Sequence, residues 1–278
     1  MDIVHSIGVN AKAKPEFLEL VRTLGIRHRL TPLPGPDNAL IDFEISESSH
    51  NWPEVKALID RLGASDRYET IFEQQEIERA EWLRFSVAFQ QGYPQPQSTW
   101  VTNPVNYDDF CQECGTFRQT RPFRIAKEPS LGRNHFMTLH WGNPIFCRRD
   151  VSEELEGRKI RGFEVWDVTL NKTGDSSRRI AQLFMPQMFG PGLPDRENLG
   201  METCASCGVT KYSSHLRGVM RYRREAVDPK LDMAATHEWF GAGGKSAYRE
   251  VLISNRLARL IMEKGWQGIH MKVVELVD

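Results

Sequence analysis

The sequence predicts an α+β protein in two parts. Residues 1–91 read as a ferredoxin-like split βαβ domain. Residues 98–278 read as a pseudo-repeated strand–helix–strand domain stapled by a four-cysteine zinc site. Three observations carry this reading. A strand–helix–strand pattern occurs twice before residue 73, offset by 38 positions. Another such pattern occurs twice in the remainder, offset by 106. Finally, two C-x-x-C-G stretches, Cys111-Gln112-Glu113-Cys114-Gly115 and Cys204-Ala205-Ser206-Cys207-Gly208, hold four of the five cysteines.

In the first part, residues 3–9 suit a strand. Pro15-Glu16 then opens a helix that sets Phe17, Leu20, Val21 and Leu24 on one face and ends at Gly25. Proline at the first turn and glycine past the last are the expected punctuation of a helix. Residues 28–33 extend as a second strand, and residues 34–38 form a turn. The pattern then recurs: a strand at 39–45, a helix opened by Pro53-Glu54 with Val55, Leu58, Ile59 and Leu62 inward, Gly63 as its stop, and a strand at 68–72. Two such units joined by a turn make a split βαβ arrangement, with both apolar helix stripes covering one sheet. Residues 73–82 read as a further helix. Leu83, Phe85, Val87 and Phe89 alternate as a strand does, and Gly92-Tyr93-Pro94-Gln95-Pro96-Gln97 marks the domain boundary. His5, His28 and His50 stand alone in the sequence and read as surface or internally satisfied histidines.

The second part predicts short strands at 122–126 and 135–141, an apolar pair at Ile145-Phe146, a helix over 150–158, and strands over 162–168 and 180–185. Residues 190–194 lead as a loop to the second cysteine pair. The 106-residue offset lays Ile145 on Val251, Val151 on Leu257, Leu155 on Ile261, Gly162 on Gly268 and Val168 on Val274. In the second copy, Val251-Leu252-Ile253 is a strand and Ser254 an N-cap. Leu257, Leu260 and Ile261 form one helical face, and residues 268–276 extend. Each half thus carries one cysteine knuckle and one strand–helix–strand unit, which suggests a pseudo-twofold domain whose knuckles meet.

Two cysteines three apart can share one ion, and the following glycine supplies the positive φ of a tight knuckle whose amides point at sulfur. Two facing knuckles give four thiolates, for which zinc is the usual occupant, one ion per chain, with Cys111, Cys114, Cys204 and Cys207 as its ligands. Iron also accepts such a site. A four-thiolate zinc has no open position for water, so the site is expected to staple the fold and not to catalyse. A redox dithiol needs its C-x-x-C at the start of a helix after a buried strand, and neither stretch follows a clear apolar run. Residues 1–5 lack the basic start and apolar run of a secretory leader, so a cytoplasmic location with reduced thiols is expected. His135, His140 and His215 are alternative ligands only if each knuckle binds its own ion. Cys147 reads as a small core residue.

Net charge is −1 over 278 residues, divided unevenly: residues 1–100 carry 10 basic and 15 acidic side chains, the rest 26 and 22. This is far from the balance of a dedicated nucleic-acid binder, and no apolar run reaches the 18 residues of a membrane span. Arg217, Arg221, Arg223 and Arg224 cluster near Tyr212 and Tyr222; they read either as a solvated face or as a contact surface for an acidic partner. Gly241-Ala242-Gly243-Gly244-Lys245-Ser246 ends like a phosphate loop, but Trp239 stands where that motif needs glycine, so a turn is expected. No metalloprotease, nucleophile-elbow or paired-carboxylate motif is present.

From about residue 70 to 276 the chain resembles the double-CXXCG motif proteins of bacteria. The likeness rests on the two knuckles, Tyr93-Pro94-Gln95-Pro96, Pro122-Phe123-Arg124, Lys127-Glu128-Pro129 and Gly132-Arg133-Asn134-His135-Phe136. It extends to Leu139, Trp141, Trp239-Phe240-Gly241 and the closing Ser254, Leu257 and Gly268. Gly142-Asn143-Pro144 departs from the aromatic and acidic run expected after Trp141. Some members of that family are immunity proteins that protect a bacterium from its own contact-delivered toxin. The resemblance therefore implies a zinc-stapled, non-enzymatic cytoplasmic protein that binds and neutralises a cognate protein toxin. A zinc-ribbon nucleic-acid binder using the Arg217–Arg224 cluster is the alternative.

Overall fold

A computed structural model describes residues 1–36, 38–100, 102, 104–194, 199–241 and 243–278. It is a mixed α+β protein, mostly strands, with five α-helices among the described residues. The chain forms two compact units: Met1–Glu73 with Leu216–Val219, and Gln74–His215 with Met220–Asp278.

The first unit runs β1 (Asp2–Asn10), α1 (Pro15–Thr23), β2 (His28–Pro32), β3 (Ala39–Ser46), α2 (Trp52–Leu62) and β4 (Asp66–Ile71). Its four strands lie in the order β2-β3-β1-β4, every pair antiparallel. Both helices begin with proline in the first turn, and Gly63 ends α2 in the left-handed conformation with φ 58°. Phe17 and Val21 of α1 and Val55, Leu58 and Ile59 of α2 are buried against Ile7, Val9, Ile41 and Phe43 of the sheet. The expected turn at 34–38 includes Asp37, which lies outside the described residues. His5 is not isolated: its ring is 2% exposed, stacks on Trp52 at 3.9 Å and stands between two carboxylates. Nδ1 is 2.8 Å from Asp66 Oδ1 and Nε2 is 2.9 Å from Glu47 Oε1. Arg217 donates twice to Glu47, at 2.8 and 2.7 Å, and holds its carboxyl below the ordinary range. The Thr70 hydroxyl donates to Leu216 O and accepts from Gly218 N.

The second unit opens with α3 (Gln74–Arg79) and β5 (Trp82–Val87). The sequence reading assigns β5 to the first domain and divides the chain at 92–97. In the structure β5 is instead the middle strand of a second-unit sheet, hydrogen-bonded to β18 along one edge and to β19 along the other, with Leu83 and Phe85 in the core shared by that unit's sheets. Two short antiparallel strands follow, β6 (Tyr107–Asp108) and β7 (Arg118–Gln119). Next come β8 (Arg124–Ile125), β9 (Phe136–Met137), β10 (Ile145–Arg148), α4 (Arg149–Gly157), β11 (Glu164–Leu170) and β12 (Ser176–Phe184). These form a five-stranded sheet in the order β8-β11-β12-β10-β9. The remainder contributes β13 (Met201–Thr203), β14 (Thr210–Tyr212), β15 (Met220–Arg223), β16 (Met233–Ala235), β17 (Trp239–Phe240), β18 (Val251–Ser254), α5 (Asn255–Glu263) and β19 (Ile269–Val277). Its main sheet is β15-β19-β5-β18-β16, and β13-β14-β17 form a smaller one.

The two five-stranded sheets have the same pairing. The first strand joins the second in parallel, and every later pair is antiparallel. They differ in the middle strand, which is β12, following β11, in one sheet, and β5, from before both, in the other. Alternate residues face different cores. Ile145 and Cys147 of β10, with Val251 and Ile253 of β18, join Leu83, Phe85, Val151, Leu155, Leu257 and Ile261 in one cluster shared by both sheets and both helices. Phe146 turns instead to Phe123, Val168 and Ile180, and Leu252 to Trp82, Tyr222 and Val274. Ser254 caps α5, its hydroxyl accepting from Leu257 N at 3.3 Å.

Glycines at matching places lock each half to the other. Gly162 has φ 109°, and a Cβ there would lie 1.8 Å from Met233 O; Gly268 has φ 95°, and its Cβ would lie 2.5 Å from Phe136 O. Around them Arg161 O accepts from Asp232 N and Met233 N, as Gln267 O accepts from His135 N and Phe136 N. Gly162→Ala and Gly268→Ala should each lower unfolding stability by at least ~2 kcal/mol, combining a left-handed backbone with a collision against backbone atoms. Gly157→Ala, at the open end of α4, should be neutral or raise stability by up to ~1 kcal/mol. Urea denaturation of the three variants checks this, and equal effects at all three positions would refute it.

Candidate metal centre

Both knuckles occupy hairpin tips. Cys111 and Cys114 lie between β6 and β7, and Cys204 and Cys207 between β13 and β14. The local hydrogen bonds are the same in each. Cys111 N donates to Thr116 O and Gly115 N to Cys111 O, as Cys204 N does to Val209 O and Gly208 N to Cys204 O, all at 2.9 Å. Gly115 and Gly208 have φ of 76° and 74°. Only a residue without Cβ takes this conformation freely, which is why glycine follows each second cysteine.

The tips converge. The four Sγ atoms lie within 4.8 Å of one another, with Cys111 to Cys204 at 3.8 Å and Cys114 to Cys207 at 3.5 Å. All five cysteines are free thiols. Sulfurs at Zn–S distances of about 2.3 Å around a tetrahedral ion stand ~3.8 Å apart, so the donor set fits a four-coordinate metal. Cys114 and Cys204 are buried, Cys111 is half-buried and Cys207 faces solvent. The backbone amides of Cys114 and Glu113 hold the Cys111 thiol down at about 6, and the Val209 amide lowers Cys207. Burial pushes Cys114 up to about 11. Bringing all four to the thiolate form therefore needs a cation to balance the charge.

One side chain beside the site has no signature in the sequence. Lys211 of β14 is 3% exposed, and its ammonium donates to Cys114 O at 2.9 Å, Gly244 O at 2.8 Å and Ser246 O at 3.0 Å. It thereby joins the second hairpin to the first knuckle and to the segment after β17. That segment also closes on Gly115, where a Cβ would lie 2.0 Å from Lys245 O, whereas a Cβ on Gly208 would meet nothing within 4 Å. Phe117 stacks on Tyr107 at 3.8 Å and meets Trp239 of β17 edge-on at 5.2 Å. The stretch at 241–246 follows the two-residue strand β17 and opens no helix, so it lacks the context of a phosphate loop; Ala242 lies outside the described residues.

The other candidates fall elsewhere. Cys147 is fully buried in the shared core, and burial raises its thiol. His135, His140 and His215 are not in the cysteine cluster. His135 Nδ1 accepts from Gln267 N, and His140 lies beside Tyr93. His215 accepts at Nδ1 from Arg84, at 3.3 Å, and Arg84 also donates to His215 O and pairs with Glu250 at 2.8 Å. The basic cluster is neutralised: Arg217 pairs with Glu47, Arg221 with Glu275, Arg223 with Glu225, and Arg224 with Glu81.

Cys114→Ser should abolish stoichiometric metal binding, since one shared site loses a quarter of its donors; retention of a full equivalent by elemental analysis would refute a shared site. Gly115→Ala should cost far more metal affinity than Gly208→Ala, for which only the backbone penalty of about 1 kcal/mol applies. A separate prediction concerns His215, whose pKa burial and the nearby Arg84 charge lower to about 4. The unfolded chain takes up that proton first, so stability falls as pH drops from ~6.5 towards about 4. His215→Asn, which keeps an acceptor, should flatten this slope in urea midpoints at fixed zinc. An unchanged slope would count against the assignment. The chain matches no protein-family model, and it matches no curated protein.

Proposed function

We propose that the chain is a non-enzymatic, zinc-stapled binding protein acting in the cytoplasm, and that its partner is a cognate bacterial toxin which it neutralises. The observation that carries the metal part is the convergence of Cys111, Cys114, Cys204 and Cys207 from two hairpins 93 residues apart. Four sulfurs complete the coordination of zinc, and the ion then supplies a closed tetrahedral crosslink. The chain's own residues do the rest. The knuckle amides orient the sulfurs, and Lys211 draws the segment at 244–246 over the first hairpin. The strand order β2-β3-β1-β4 supports the split βαβ reading of the first unit, and the common pairing of the two five-stranded sheets supports the pseudo-repeat.

The toxin-neutralising part rests on the resemblance of the knuckles and their flanking motifs to the double-CXXCG proteins. No helix among the described residues is long and apolar enough to cross a membrane. The nucleic-acid alternative is weakened because the arginines it would use are each paired with a carboxylate.

Two measurements test the proposal. The purified chain should carry about one zinc per molecule and lose cooperative folding on chelation. A sub-stoichiometric metal content, or a chelated chain with unchanged stability, would refute the staple. Co-expression of the tagged chain with proteins captured from its host should relieve the toxicity of one stoichiometric partner. Capture of nucleic acid that salt releases, with no such partner, would replace this reading by the alternative.

A further inference from the structure

Beside the first knuckle the second unit holds a cavity of about 900 Å³. That volume lies within the range of small-molecule sites. Its walls come from segments far apart in the chain, among them Trp100, Phe117, Trp239 and Tyr248. Three cations line it, Arg118, Lys245 and Arg249, and among the described residues no Asp or Glu does. Arg118 already pairs with Asp108 and Asp109. Arg249 is different. Its guanidinium lies 4.3 Å from the centre of the Trp239 ring, its Nη1 donates to the carbonyls of Thr236 and His237, and no carboxylate among the described residues lies within ion-pair distance. Lys245 is exposed and contacts Gln112 through its ammonium at 3.1 Å.

A second feature stands at the rim. Trp141 has φ 68° and its side chain is 58% exposed. A bulky residue in the left-handed region is strained, and such an exposed ring recovers little through burial. The ring lies 4.5 Å from that of Tyr93, on the cavity wall. The strain lies in the backbone and the exposure in the ring; an indole held outward at the rim at that backbone cost is explained if a flat ligand covers its open face.

We infer that this cavity binds a planar aromatic anion of about nucleotide size, its ring against the aromatic walls and Trp141 and its negative group towards Lys245 and Arg249. Aromatic faces accept any flat ring, and two wall cations, Lys245 and Arg249, with no carboxylate among the described residues at ion-pair distance select for negative charge. The inference stands apart from the toxin reading, since it uses neither the partner nor the resemblance.

Titration of the zinc-loaded full chain with adenosine 5′-monophosphate and with 1-naphthyl phosphate, followed by tryptophan fluorescence and calorimetry, tests it. At least one of the two should bind saturably, one per chain, at least about tenfold more tightly than adenosine or inorganic phosphate. Trp141→Asn and Lys245→Gln, both exposed positions, should each weaken that binding about fivefold or more while leaving zinc content unchanged and thermal unfolding no lower, Asn being at ease in the left-handed backbone of position 141. The inference is overturned if neither anion binds up to about 1 mM, if adenosine binds as tightly as its phosphate, or if neither variant alters the affinity.

Discussion

Four sulfurs from two hairpins set the terms for the surrounding structure. Each hairpin is too short to hold its shape alone: β6 and β7 have two residues each, and β13 and β14 three. Hairpins of that length are not stable alone, so they depend on outside contacts: β14 pairs with β17 and buries Tyr212, Tyr107 packs on Phe123, and the two tips meet at the sulfurs. The shared element is a compact acidic centre, and a concentration of thiolates is stable only near compensating charge. The donor set supplies a place for a metal cation. Lys211 supplies a second positive group, held to the carbonyl of Cys114 and aimed at no carboxylate among the described residues. An ammonium this deeply buried is costly unless its donors are all used, and here three carbonyls use them. Through those carbonyls the segment at 244–246 is fixed, and with it the backbone that closes on Gly115.

Behind the hairpins, the two larger sheets solve one packing problem in the same way. Each needs a middle strand antiparallel to both neighbours, and direction is all that the ladder requires of it. One sheet takes that strand from the chain just after β11; the other takes β5, whose Phe85 lies 166 residues before its β18 partner Val251 in the chain but next to it in space. Because β5 is flanked by β18 and β19, the second unit gathers its chain from residue 74 onward and not from the proline-rich stretch at 92–97. Composition marks places where the backbone turns. It does not say which sheet a strand joins.

This explains which parts were legible from sequence. Helices α1, α2 and α5 announce themselves because periodicity, proline, glycine and a serine cap all act within one turn of the chain. The cysteine pairs are legible because metal chemistry restricts both residue type and spacing. The strand expected over 135–141 is ordered as β-ladder only at Phe136–Met137, since its apolar residues continue into a loop that ends at the strained Trp141. Nothing local distinguishes Lys211 from an exposed lysine in a three-residue strand. Its environment is made by residues 97 positions before it and some 33 after it. His5 likewise reads as isolated because Glu47 and Asp66 reach it only through strand pairing.

The metal centre and the cavity are not independent features of the second unit. Gly115 belongs to the first knuckle and also lines the cavity, and Lys245 closes on that glycine with its carbonyl while its ammonium faces the same side. The side chain of Phe117, three residues past Cys114, packs on Trp239, over which Arg249 lies. The sulfurs and the cavity wall are thus joined by an unbroken series of direct contacts. On the outer rim the side chains are open, Trp141 and Met188 being more than half exposed. On the inner side, Gly115, Phe117 and Trp239 belong both to the wall and to the contacts that hold the knuckle, so one set of residues shapes both.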